Sequence, residues 1–594
     1  MSLRRVGRLV AMVLPTLLWL SCGQVYRPVV LPCTVVGIPG CPVETPPIPS
    51  SFHAVFALSA NAPNHPAGAL QIDVSGDSIM AATPTSDESQ ANLGDVPTNA
   101  AILPNDSRVF VTSAGSILPG GLDILSSFST APDSPFGGGF GPVTTVGLPQ
   151  GSRPVFVNTV QNNAVYVANF GTNSVSAVNT SSNLVTNTAS VGLNPVALAE
   201  TPNGFKLYVA NQGTSQATSS VSSLNVADLS LNTVFGFSGT NPVWVVARSD
   251  SQKVYVLTQG DGQLVTIDTA TDTVTGSLPV GAGANFIFSD PHLNRLYVTN
   301  PPTGTVYVFS DTGGPNDTPV QLAAISFGTG SAPCPLGCTP TSVTALADGS
   351  RFYVASYQAA SSCPDAFVGS SSACVIPNLT VFNATSFALQ YPTATTQYPN
   401  APMMRLLTAP FGPGQYAVPP VGSCVSPVLP ALYAPGATRF RVFTTAAADS
   451  SHVYVGMCDA GFIADIITTG SNTNGTGGGA VPADTLVTDL PAAFGVCTLP
   501  SCSHAATITA FSIKSNVVTF QATNQFAPGQ SVSISGLTMG TYLNGVTLTV
   551  LATGLSGSQF ECYFPSADAS QTSDSGAAVP SVPTQSPIFL LTGQ

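Results

Sequence analysis

The sequence predicts an all-β protein assembled from a repeated four-stranded unit, and three observations predict it. First, an apolar residue, Tyr-Val, a small residue and often Asn recur together. The phrase appears as Val165-Tyr166-Val167-Ala168-Asn169, Leu207-Tyr208-Val209-Ala210-Asn211 and Leu296-Tyr297-Val298-Thr299-Asn300. Second, Tyr166, Tyr208, Tyr255 and Tyr297 follow one another at steps of 42, 47 and 42 residues, the period of one propeller blade. Third, the chain holds 55 Gly and 51 Pro but only 7% charged residues, against roughly 25% in an average soluble chain, which suits short strands joined by many turns.

The N-terminus reads as a targeting segment over 1–21. Arg4, Arg5 and Arg8 precede an apolar run from Leu9 to Leu20, too short to span a bilayer comfortably and typical of an export signal. Leu18-Trp19-Leu20-Ser21-Cys22 resembles a lipobox, with Cys22 as the lipid anchor; Trp19 and Leu20 depart from its usual pattern, and ordinary signal cleavage is the alternative. Residues 22–50 form a stalk whose seven prolines, from Pro28 to Pro49, favour extended chain.

Residues 51–491 read as the repeat domain. In one unit, Pro195 to Ala199 is a strand, Thr201-Pro202-Asn203-Gly204 a turn and Lys206 to Ala210 the next strand. Val221 to Leu224 and Thr233 to Phe237 complete four antiparallel strands. Within each phrase the tyrosine points to one face and its neighbours to the other. Both faces must be covered by adjacent units, so a single unit cannot stand alone. The Asn closing the phrase is expected to take a left-handed turn conformation. Looser copies of the phrase surround Phe110, Tyr255, Tyr353 and Tyr454, and a weaker eighth is Ala54-Val55-Phe56-Ala57. Between Tyr353 and Tyr454 lies a Pro/Gly-rich insertion, about 399–436, read as a loop over the ring or, more sharply, a lid on one mouth. Residues 492–585 read as a small immunoglobulin-like β-sandwich, possibly inserted, and 586–594 as a strand that returns to close the ring.

These residues carry a resemblance. Tyr297-Val298-Thr299-Asn300 is literally the motif of the YVTN family of β-propeller proteins, and the other phrases are variants of it. The resemblance covers about 440 residues and is strongest from 153 to 310. It implies an exported surface scaffold with a propeller of seven blades; a literal count of the phrase allows eight. The family motif is structural and implies no catalytic residue.

Chemistry is sparse. Twelve cysteines suit an exported chain. Besides Cys22, Cys33/Cys41, Cys334/Cys338, Cys363/Cys374, Cys424/Cys458 and Cys497/Cys502 are disulfide candidates, leaving Cys562 over. None of these pairs has the CxxC spacing of a thiolate metal site. The five histidines do not fall at metal-ligand spacing. Acidic residues such as Asp250, Asp268, Asp272 and Asp290 are explained by turn chemistry. The loop from Asp311 to Asp317 has oxygen ligands enough to suggest a weak Ca²⁺ candidate through those two carboxylates, although a plain turn is the stronger reading. Trp244 reads as packing within its unit. No nucleophile elbow, phosphate-binding loop or redox motif is present, so no catalytic residue and no cofactor is assigned.

The net charge of −13 and the lack of a basic cluster after residue 8 argue against nucleic acid. Two functional classes remain. One is an anchored binding or structural scaffold of the outer membrane, cell surface or periplasm, contacting a protein or envelope polymer and meeting the membrane through its lipid alone. The other is a propeller enzyme of lactonase or quinoprotein-dehydrogenase type. Carboxylates, Asn or His converging on one channel mouth would favour the enzyme; Ser, Thr and apolar groups there would favour binding.

Overall fold

The computed structural model describes the chain from Ala54 to Thr592, with breaks at 60–67, 85–95, 115–123, 130–141, 366–371, 408–415, 425–439, 470–481, 491–505 and 581–586 and several shorter ones. The signal and stalk readings, with Cys22, Cys33, Cys41, Cys497 and Cys502, lie outside the described residues.

Eight four-stranded antiparallel sheets are present among the described residues, where the family resemblance implies seven. Sheet 2 spans 96–147, sheet 3 154–190, sheet 4 195–232, sheet 5 242–279, sheet 6 286–326, sheet 7 339–405 and sheet 8 442–490. Sheet 1 joins the two ends of the chain: Pro587–Thr592 pairs antiparallel with Ala54–Ser59, placing Leu590 opposite Ala57. In sheets 2 to 8 the first strand in sequence lies at one edge, and in sheet 1 Pro587–Thr592 takes that edge. Each edge strand touches its counterpart in the next sheet, and Pro587–Thr592 touches those of both sheet 8 and sheet 2. The neighbours therefore close into a ring. Closure removes the exposed faces that no four-stranded sheet could bury alone. This is a β-propeller.

The repeated phrase forms the second strand of every sheet. Its aromatic residues, Phe56, Phe110, Tyr166, Tyr208, Tyr255, Tyr297, Tyr353 and Tyr454, are all buried, as are the flanking Leu207 and Val209 of sheet 4. Alternation thus covers both faces with apolar side chains, as strands sandwiched between neighbouring sheets require. The phrase Asn behaves differently from expectation. Asn169 and Asn211 end their strands and donate through Nδ2 to Ser176 (2.8 Å) and Ser222 (2.9 Å) on the third strand. Left-handed backbone falls instead on turn residues such as Asn173, Asn183 and Asn194, because the phrase Asn is still held in the ladder.

Among the described residues three disulfides are formed, Cys334–Cys338, Cys363–Cys374 and Cys424–Cys458. Cys562 is free and wholly buried, and burial pushes its thiol well above the usual range. The second and third strands of sheet 7, Arg351–Ala360 and Cys374–Asn383, run to 10 residues each. The insertion after this sheet is tied to its neighbours: Val418 bridges Val375, and Cys424 is bonded to Cys458 of sheet 8. Much of its length, with Phe411 and Tyr433, lies outside the described residues.

The segment between sheet 8 and the final strand departs from the expected sandwich. Its strands make one six-stranded sheet, in the order 547–549, 531–535, 569–580, 506–514, 517–522, 559–563. A bridge between Val550 and Cys562 brings the two ends of that sheet together. The 12-residue strand Ala569–Pro580 pairs with both Ala506–Lys514 and Ser531–Ser535, so no second sheet separates. Register shifts in Ala506–Lys514 supply the bend. Phe511, Phe520, Ile534 and Phe560 fill the interior.

Candidate functional site: the propeller axis and the clamps around it

The edge strands that line the ring begin with a second repeated phrase: Pro154-Val155-Phe156, Pro195-Val196-Ala197, Pro242-Val243-Trp244 and Pro587-Ile588-Phe589. Proline has no amide hydrogen to give the ladder. In sheets 3, 4 and 5 the pairing register shifts between that Pro and the third residue of the phrase. Such a bulge re-aims a side chain.

In this fold it is accompanied by a meeting of aromatic rings from sheets that are not neighbours. Trp244 of sheet 5 meets Phe156 of sheet 3 edge-on, with centroids 5.4 Å apart, and Phe440, which leads into sheet 8, at 5.9 Å. Phe286 of sheet 6 lies 5.1 Å from Trp244 and 5.7 Å from Phe443 of sheet 8. Phe443 in turn packs against Phe589 of sheet 1 at 4.7 Å. Since these rings come from sheets 1, 3, 5, 6 and 8, they meet across the axis of the ring. Trp244, read from the sequence as packing within its own unit, belongs to this cluster and meets three of its rings. All of the rings except Phe589 are at least nine-tenths buried.

Polar residues at the matching position of other sheets are already used by the backbone. Asn99 of sheet 2 accepts from the Val157 amide (3.2 Å), and Ser342 Oγ of sheet 7 accepts from the Thr444 amide (2.9 Å).

Outside the axis, the chain's few cations form a recurring clamp between sheets. Lys206 and Tyr208 stand two residues apart, hence on one face of their strand. Lys206 Nζ donates to Asp272 Oδ2 at 2.6 Å, and the Tyr208 hydroxyl donates to Asp272 Oδ1. Asp272 belongs to the turn before the last strand of sheet 5. Sheet 5 repeats the device toward sheet 6: the Tyr255 hydroxyl donates to Asp311, with Arg248 Nη1 at 3.2 Å and Lys253 Nζ at 3.8 Å. Sheet 7 repeats it toward sheet 8, where Tyr353 donates to Asp484 Oδ1 at 2.6 Å and Arg351 pairs with the same carboxylate. Arg108 and Arg295 occupy the lysine position of sheets 2 and 6 and donate to the carbonyls of Thr180 and Ala384 in the following sheet.

Burial, then the bond to Asp311, pushes the Tyr255 hydroxyl above its ordinary range. Burial pushes the Asp311 carboxyl up against the pull of its donors. Chemically, these carboxyl groups are taken up by donors of the neighbouring sheet.

The loop of the weak Ca²⁺ candidate, for which a plain turn is the stronger reading, sets its two carboxylates in different surroundings. Asp311 is turned inward to Tyr255 and Arg248, while Asp317 is exposed and its Oδ2 accepts from the Gly314 amide at 2.9 Å. The two carboxylates have separate partners, and among the described residues no group of three or more His, Cys, Asp or Glu is gathered as a metal site. Asp272, assigned to turn chemistry, also serves a clamp. His452 accepts or donates at Nδ1 with Ser451 Oγ (2.8 Å) and stacks on Tyr454. A further buried acid, Glu200, ends the axial strand of sheet 4; its Oε2 accepts from the Val160 amide (3.0 Å) and its Oε1 has no partner. Desolvation raises its pKa to about 7.

The fold places the chain among known propellers. No family model and no curated protein matches the sequence. Among solved structures, it is similar to the periplasmic gluconolactonase PpgL of Pseudomonas aeruginosa, at 13% identity over 75% of this chain and 97% of that one, with a TM-score of 0.40. It is also similar to the β-propeller domain of Cps50 (Swd1) from Myceliophteria thermophila, at 8% identity over 63% and 97%, with a TM-score of 0.40. A putative 6-phosphogluconolactonase from Bacteroides uniformis gives 11% identity over 57% and 95%, with a TM-score of 0.39.

Proposed function

We propose that this chain is an exported, lipid-anchored binding scaffold of the cell envelope, held to the membrane through Cys22 and presenting its propeller to a protein or envelope polymer rather than to nucleic acid. The observation that carries this reading is the cluster of Phe156, Trp244, Phe286, Phe440 and Phe443 filling the axis. Catalysis in a propeller channel needs polar groups converging there with room for a substrate, and this axis is closed by rings. The resemblance to YVTN surface propellers, the basic-then-apolar N-terminus and the near-paired cysteines point the same way. The ten cysteines from Cys33 to Cys502 serve as clips on loops in this reading.

The test has two arms on the mature chain. Hydrolysis of a panel of aldonolactones, with and without Ca²⁺, is expected to stay at background, while co-sedimentation with isolated envelope polymer saturates. Turnover well above background would replace the scaffold by the lactonase-type enzyme. Separately, labelled palmitate should be incorporated in cells and lost in Cys22→Ala; equal labelling of both would remove the anchor from the proposal.

A further inference from the structure

The two faces of the ring are not alike. Strands alternate in direction within each sheet, so the turns joining first to second and third to fourth strands lie on one face, here the lower. Neighbouring sheets point the same way: the Glu200 amide, ending the first strand of sheet 4, donates to Asn158 Oδ1, ending that of sheet 3, at 2.9 Å. The upper face carries the additions to the ring. The long hairpin of sheet 7 extends there, and the chain leaves for the six-stranded module at Leu490 and returns at Pro587, both upper strand ends.

On the lower face, sheets 3 to 5 expose large apolar side chains. Leu184 and Leu231 begin the last strands of sheets 3 and 4, Phe205 precedes the second strand of sheet 4, and Phe235 bridges Thr273 at the foot of sheet 5. Phe205 is 73% exposed and the other three 59–63%. They lie together. Asn187 of sheet 3 donates to the Asp228 carbonyl in the turn before Leu231 (2.8 Å), and the Val226 amide of that turn donates to the Phe205 carbonyl (3.0 Å). The Phe235 amide donates to the carbonyl of Asp272, whose carboxylate holds Lys206, the neighbour of Phe205. The seam of sheets 3 and 4 also lacks the clamp: Ala164 stands at the lysine position, and Leu229 stands four residues past its third strand, as Asp272 does in sheet 5. Elsewhere on this face Asp250, Asp317, Asp348 and Asp449 are exposed, while Lys206, Arg248, Lys253 and Arg351 are engaged by clamps.

We propose that the lower face at sheets 3 to 5 docks on a zwitterionic lipid surface, with Phe205, Leu184, Leu231 and Phe235 entering the headgroup boundary. Side chains that stand out singly from separate turns suit a fluid surface, which needs no complementary shape. The Phe205 turn is already fixed, by Gly204 N to Thr201 O (2.7 Å) and Phe205 N to Asn203 Oδ1 (3.1 Å), so little order is lost on docking. The exposed carboxylates disfavour an anionic surface. The chain enters the ring on this same face, because Ala54 begins the second strand of sheet 1. The choice of a membrane over a protein partner rests on the lipid-anchored reading, in which the tether joined there raises the local concentration of a weakly binding patch.

Tryptophan fluorescence on the full mature chain tests it, since from Cys22 onward Trp244, buried at the axis, is the one native tryptophan. On phosphatidylcholine vesicles the emission of Phe205→Trp should move to the blue and be quenched by bromine-labelled acyl chains. Leu336→Trp, exposed in the Cys334–Cys338 loop of the upper face, should stay unquenched. In the unlipidated Cys22→Ala chain, Phe205→Ser should weaken vesicle binding about tenfold, Leu336→Ser should leave it unchanged, and an equal part of phosphatidylglycerol should weaken it. Vesicle-bound chain with Phe205→Trp unquenched, or quenched no more than Leu336→Trp, overturns the docking face and leaves the anchor standing. Quenching at Phe205→Trp alone in a chain that takes up no palmitate keeps the docking face and removes the anchor. Tighter binding to phosphatidylglycerol overturns the lipid class.

Discussion

The axis and the clamp belt solve the same problem, joining one sheet to another, by opposite chemistry. The axis joins sheets 1, 3, 5, 6 and 8 through rings without a charge among them, and it does so irregularly: Phe156, Ala197, Trp244 and Phe589 stand at one repeated position. The belt joins sheets 4, 5 and 7 to their successors through Lys or Arg, Tyr and Asp, nearly unchanged each time. The difference follows from geometry. Side chains at the axis face every other sheet at once, so size must be balanced around the ring. A clamp faces a single neighbour and can be copied. With 15 Lys and Arg in 594 residues, placing five of them at the clamp position leaves few for the surface.

Deleting 586–594 tests what both devices depend on. It removes Phe589 from the axis and the edge strand from sheet 1, and calorimetry should show the largest loss of all, a sharply lowered melting transition. An unchanged transition would mean that the ring does not need its closing strand.

Asp311→Ala comes next. It takes the carboxylate from the buried Lys253 and the acceptor from the Tyr255 hydroxyl, while Arg248 keeps Asp250, and removing one partner of a buried pair costs about 3–5 kcal/mol. Urea denaturation reads it, and a loss under 1 kcal/mol would reduce the clamp to an incidental contact. Trp244→Ala should cost about 3 kcal/mol by the same measurement, the low end for a large aromatic, because Phe156, Phe286 and Phe440 can relax toward the space. If it costs nothing, the axis is not a packed core.

Glu200→Gln sharpens the contrast through pH. The folded pKa, about 7, lies above the ordinary 4.5, so between those values the folded state holds more protons than the unfolded. Stability from this group is complete below about 4.5 and is lost as pH rises through about 7. The variant should be more stable than the parent at pH 8, by on the order of 2–3 kcal/mol, with a flatter pH dependence. A parent whose midpoint does not fall between pH 5 and 8 would contradict it.

The smallest effect is expected outside the ring. Asp574 accepts from the amides of Thr538, Met539 and Gly540, each at 2.8 Å, which holds its carboxyl below the usual range. Asp574→Asn should speed hydrogen exchange at those amides without moving the main transition. The same loosening should appear in the parent as pH falls through the lowered pKa. Unchanged exchange at both would dissociate the carboxylate from the loop.

Much of this was legible in the chain. The tyrosine phrase named the second strand of every sheet, because a strand packed on both faces must alternate large apolar groups whatever surrounds it. Strand Ala569–Pro580 was not legible: Ser570, Ser573, Asp574 and Gly576 have little strand preference, and their neighbours in the sheet overrode it. The Pro-Val-Phe and Pro-Val-Trp phrases were present 12 or 13 residues before the tyrosines, yet their meaning was hidden. In sequence they mark only a strand start.

By itself, then, the sequence determined the repeat, the strand type and the near-paired cysteines, since these arise from local alternation and short spacing. The tertiary structure decided that Asp272, Asp311 and Asp484 are clamps rather than turn ornaments. It also decided that Phe156, Trp244, Phe443 and Phe589 meet, and that the module is one curled sheet. Each of those facts depends on which distant residues closure brings opposite one another, and no local preference encodes that.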